Sequence, residues 1–97
     1  MERQTIAQIK ALNRSRGGHF FDPETLRFFN SVIYPNVRTG RNGWFFVTGE
    51  RPPGRPTRYT VRKCLQSGKI KTVGDFQQYA SFEGALSAAI EAAKQED

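Results

Sequence analysis

Cysteine and histidine each occur once in this 97-residue chain, as Cys64 and His19. A lone cysteine excludes an intramolecular disulfide, and a reducing compartment is the expected setting. One thiol and one imidazole are too few donors for a structural or catalytic zinc site, so neither a metal nor a cofactor is expected. No apolar run approaches the length of a membrane span, and no charged-then-apolar leader opens the chain. The expectation is therefore a cytoplasmic protein with no membrane partner. A glycine-rich phosphate loop of known spacing is also missing, as are paired carboxylates where a cleft would form. Asp75 and Glu83 flank a helix start, where acids stabilise the helix dipole. His19, set among two glycines and two phenylalanines, reads as a packed or exposed loop residue rather than a base. Cys64 follows Arg62 and Lys63, but only Arg62 shares its strand face, so a free structural cysteine is expected. No catalytic residue and no small-molecule substrate are assigned.

What the chain does have is basic charge, unevenly placed. Its net charge is +6. Residues 1–37 contribute +2, residues 38–71 contribute +8 with Glu50 their single acid, and residues 72–97 contribute −4. That asymmetry marks a positive face, either a solubilising surface or a polyanion-binding one. Aromatic residues make up 12% of the chain, eight of them Phe, and supply the volume for a single modest core.

Along the chain, Ile6, Ile9 and Leu12 recur at helical spacing, ended by "NRSRGG". Residues 1–18 thus read as an arm or short helix that either packs on the domain or frays. Residues 19–97 read as one domain. In "FFDPETLRFFNS", Asp22 is an N-cap, Pro23 fits the first helical position, and Phe21 with Leu26 occupy staple positions, which predicts a helix from Pro23 to about Asn30. "SVIYPNV" reads as an edge or bulged strand around Pro35. Strands follow in "WFFVTGE" and "RYTVRKCL", separated by the stiff "RPPGRPT", and "QSGK" closes a hairpin into "IKTVGDFQQYA". Ser81 caps a last helix with Phe82, Leu86, Ala89, Ile90 and Ala93 on one stripe. The fold class is α+β: short N-terminal helices, a three- to four-stranded antiparallel sheet, and a C-terminal helix packed across one face.

Two resemblances attach to these segments. "HFFDPETLRFFNS", "WFFVTGE", "TRYTVR" and "TVGDFQQYAS" together resemble a group of small proteins encoded by bacteriophages and prophages, which implies a bacterial host cell but no settled activity. "VGDFQQYASFEGALSAA" is similar in architecture to the end of APETALA-type and integrase arm-type DNA-binding domains. That similarity implies packing roles for Gly74, Phe76, Ala85, Ala88 and Ala89. In addition, Gly54-Arg55-Pro56 resembles the centre of AT-hook peptides, which implies an extended backbone in a DNA minor groove.

The candidate binding residues are Arg38, Arg41, Trp44, Arg51, Arg55, Arg58, Arg62, Lys63, Lys69 and Lys71. Cations replace counterions at phosphates, and aromatics stack on exposed bases. Arg58 and Arg62, four apart on a strand, point the same way and make a continuous stripe possible. Trp44 and Tyr59 either stack on bases or pack in the core. Two functions follow. One is a non-catalytic module that binds nucleic acid, DNA in preference; the other is a phage-encoded inhibitor that binds an acidic surface on a host protein.

Overall fold

A computed structural model describes residues 2–96. Among these, three helices and five strands are present: α1 (Ile6–Ser15), α2 (Pro23–Phe28), β1 (Ser31–Ile33), β2 (Arg38–Thr39), β3 (Gly43–Glu50), β4 (Arg58–Leu65), β5 (Ile70–Val73) and α3 (Phe82–Gln95). The sheet is antiparallel throughout, in the order β1-β3-β4-β5, with β2 also paired to β3. β1 and β2 are two pieces of one edge, since β1 lies against Thr48–Glu50 and β2 against Trp44–Phe45. Pro35, which cannot donate to a ladder, stands in the gap between them.

β3 is central and buried along its whole length because each face of the sheet carries its own core. On one face Phe45, Val47 and Val61 meet Ala85, Ala89 and Ala93 of α3. On the other, Trp44, Phe46 and Cys64 meet Ile9 of α1 and Phe21. The expected stripe on α3 is therefore rotated. Alanines at four-residue spacing form its centre, while Leu86 and Ile90 flank it half-buried. Small side chains let the helix axis approach the sheet, and the bulkier ones fit only beside the contact.

α1 is part of the domain and not a frayed arm. Thr5 and Gln8 form a reciprocal capping box, each side chain accepting from the other's backbone N–H. Ile9 is fully buried, worth about 1.5–3 kcal/mol, which holds a ten-residue helix that would be marginal alone. Asn13 Nδ2 donates to the Gly68 carbonyl at 2.8 Å and ties the helix to the β4–β5 turn. At Gly68 the φ is +91°, and a Cβ would stand 2.8 Å from the Arg16 side chain and 3.0 Å from the Leu12 carbonyl. That turn consequently needs glycine.

α2 is shorter than expected, ending at Phe28, because Asn30 turns left-handed at φ 49°. Its Asp22 cap makes no side-chain bond to the helix; the carboxylate instead takes His19 Nδ1 at 2.8 Å. No residue of α2 is buried.

Candidate nucleic-acid interface

The ten candidate residues do not form one stripe. Arg38, Arg41, Lys69 and Lys71 are exposed at the end of the sheet where β3 begins; Arg51 and Arg55 are exposed at the opposite end. Arg38 and Lys71 stand level with Phe45, five residues before the end of β3 at Glu50, so about 17 Å of strand separates the two groups at their nearest. Between them the remaining four residues face inward or are bonded to the protein itself.

Trp44 is 6% exposed, and its Nε1 donates to the Glu2 carbonyl at 2.7 Å, so it packs and does not stack on a ligand. Lys63 is buried beside the Phe45 ring and pairs with Glu96. Arg58 donates through Nε to the Gln77 carbonyl at 2.8 Å and through Nη2 to the Gln78 carbonyl at 2.9 Å. Arg62 Nη2 meets Glu50 at 3.3 Å, Nε reaches Thr48 Oγ1 at 3.1 Å, and Nη1 reaches Thr72 Oγ1 at 2.7 Å. Burial pushes this guanidinium down from its ordinary value, and the Glu50 charge partly restores it. Alternation did put Arg58 and Arg62 on one face, yet that face meets a neighbouring loop and a buried acid in place of solvent.

This polar network positions the segment after β5. Thr60 Oγ1 donates to Glu50 at 2.7 Å and accepts from the Gln77 N–H at 2.8 Å. Gln77 is left-handed, at φ 57°. Phe76, one residue earlier, is held with its ring over the Arg62 guanidinium, 5.4 Å from the ring centre, and remains 47% exposed. The packing role that the resemblance implies for Phe76 is not the one it takes, because the turn at Gly74 carries it to the face opposite α3. Ala85, Ala88 and Ala89 do pack between helix and sheet.

Three exposed phenylalanines gather here. Phe28 is 83% exposed and Phe29 46%, their rings edge to face at 4.9 Å; Phe29 meets Phe76 edge to face at 6.0 Å. Together with Arg27, Arg51, Pro52 and Pro53 they line an open groove of about 630 Å³. Among the described residues no carboxylate lines it. One wall is α2 and the other the proline-rich loop, linked by Asn30 Nδ2 donating to the Arg51 carbonyl at 3.2 Å. In that loop the Arg55 N–H bonds the Pro52 carbonyl at 3.1 Å, with Pro53 and a left-handed Gly54 (φ +72°) between them. Proline followed by such a glycine is the type II turn pattern, so the backbone around Arg55 is folded back and not extended like an AT-hook.

Sequence reasoning passed over Arg27, Phe28 and Phe29. The signal was there, since two adjacent phenylalanines near the end of a short helix cannot both face the core.

The family model described as "Family of unknown function (DUF7447)" matches residues 5–92. The chain belongs to DUF7447. The DUF7447 match takes in both aromatic-bearing segments and the proline-rich loop. No curated protein and no solved structure matches the chain.

Elsewhere in this DUF7447 chain, Arg38 joins Arg3 and Lys94 around a second open groove of about 550 Å³, which lacks exposed aromatics. Cys64 is fully buried, and burial pushes its thiol up to about 11, so it is protonated at neutral pH and is not an activated nucleophile. Among the described residues no cluster of three or more potential ligands could hold a metal ion, and no helix is long and apolar enough to cross a membrane.

Proposed function

We propose that this chain is a small, non-catalytic accessory protein of phage type that binds nucleic acid in the bacterial host cytoplasm. The observation that carries the reading is the groove at the α2 end, which Arg27 and Arg51 both line, with no carboxylate in the lining among the described residues and Arg55 one residue beyond it. Guanidinium groups on a stiff, acid-free rim suit phosphate oxygens, and each phosphate neutralised releases condensed counterions. Arg58, Arg62 and Lys63 support the architecture in this reading and do not contact the ligand.

Fluorescence polarisation with labelled DNA and RNA across a salt series tests it. Replacing Arg27, Arg51 and Arg55 together by Ala weakens binding and flattens the dependence of log K on log salt by about 0.7–0.9 for each phosphate that is no longer neutralised. Absence of binding to either nucleic acid at low salt overturns the reading.

The same exposed ring of Phe28 beside arginines supports a second reading, a phage-encoded inhibitor docking on an acidic host-protein surface, since aromatic residues and Arg dominate protein hot spots. Recovery of one host protein by affinity purification, undiminished by nuclease, selects that reading over the first.

A further inference from the structure

Resting on the nucleic-acid reading, we infer that the ligand of the Phe28–Phe29–Phe76 groove is a single-stranded polynucleotide whose unpaired bases stack on these rings. A soluble domain gains nothing in stability from a phenylalanine that is 83% exposed, and here three aromatic rings adjoin on one face. The chain also spends backbone strain to put them there. Asn30 and Gln77 are its two non-glycine left-handed residues among those described, and each lies next to one of these phenylalanines in sequence. Neither segment is loose: Asn30 is tethered to the Arg51 carbonyl, while Gln77 is held by Arg58 and Thr60. The backbone segments that carry the rings are thus tied in place before any ligand arrives, which lowers the entropy cost of binding.

Charge complementarity selects the occupant. Arg27 and Arg51 line the same groove and supply cations for a backbone that passes across the rings. Stacking rings set within a basic groove are the means by which proteins hold single strands, because every base has a π-face. A duplex offers neither the fit nor the faces. Its bases are already stacked on one another, and a concavity of about 630 Å³ falls in the range of small-molecule sites, roughly 300–1,000 Å³, too small to seat a duplex. The rings also lie in a concave lining between two walls, unlike a lone wedge that pries base steps apart.

The test uses the full chain with three labelled probes: oligothymidylate of about 12 nucleotides, oligouridylate of the same length, and a blunt duplex hairpin. The wild-type chain is expected to bind at least one single strand roughly tenfold or more tightly than the duplex. Phe28→Ala and Phe76→Ala should each lose roughly tenfold on that strand and leave duplex binding unchanged. Phe28→Leu, apolar but without a ring, should lose as much as Phe28→Ala, whereas Phe28→Tyr should retain binding. Phe28 is so exposed that its variants keep the fold, and matching thermal melts verify this. If the Arg27, Arg51 and Arg55 triple variant weakens binding but the phenylalanine variants do not, or if Phe28→Leu binds like wild type, stacking is wrong and phosphate binding stands. If no probe binds, both the inference and the reading beneath it fall. The DNA and RNA arms identify which single strand is held.

Discussion

Glu50 is the one acid among nine basic residues between positions 38 and 71, and it is 1% exposed. Its carboxylate accepts from Thr60 and Arg62, and the guanidinium in turn lies 5.3 Å from the Phe20 ring centre and 5.4 Å from that of Phe76. Removing one partner of a buried pair leaves the other charge without compensation. Glu50→Ala is therefore expected to destabilise the domain by about 3–5 kcal/mol in urea titrations, well beyond the effect of replacing the exposed Arg51. The lone acid was visible in the sequence, but its burial was not. Strand alternation assigns a side chain to a face without saying whether that face meets water, a helix or a carboxylate, and for this reason Arg58, Arg62 and Lys63 looked like ligand-binding residues. Trp44 was open to two readings for the same reason, and the presence of α1 above it decides between them.

At the level of elements, punctuation was the legible part. Asp22-Pro23 starts α2, Ser81 caps α3 by accepting from the Gly84 N–H at 3.0 Å, and Gly68 turns β4 into β5. Pro35 divides an edge into β1 and β2, as its missing N–H requires. Rotation about a helix axis was less legible, because the hydrophobic stripe of α3 gives Leu86 and Ile90 more weight than alanine although alanine makes the closest approach. Ala89, fully buried against the sheet, reports on that closeness. Ala89→Leu should cost about 1–3 kcal/mol by overpacking, read as a lower midpoint in chemical denaturation, despite being more hydrophobic. α2 is the opposite case: its existence was clear, but it buries none of its residues and leaves Phe28 facing solvent, and hydrophobic periodicity searches only for what is buried.

For the molecule as a whole, the acidic segment 72–97 is more than a counterweight to the basic middle. Glu96, beyond the last turn of α3, accepts from Lys63 of β4 and from the Asn42 N–H of the β2–β3 turn, closing helix and sheet together at one end. Burial raises its carboxyl pKa, but those two hydrogen bonds and the charges of Lys63 and Lys71 outweigh it and hold the group below its ordinary value. A depressed carboxylate stabilises the fold above its unfolded-state pKa and loses that contribution as pH falls through the folded value. Glu96→Gln should thus melt at a lower temperature than wild type at pH 7, with the gap closing below about pH 4. The interrupted edge has a consequence at this same scale. Molecules sharing one polyanion are brought to high local concentration, a condition under which open strand edges recruit one another into aggregates. One border of this sheet is broken at Pro35 and the other, β5, is four residues long with Lys71 within it, so neither offers a long template. Short, interrupted edges of this kind leave little backbone for a second copy to add to, so raising the local concentration of the chain gives edge-to-edge pairing little to build on.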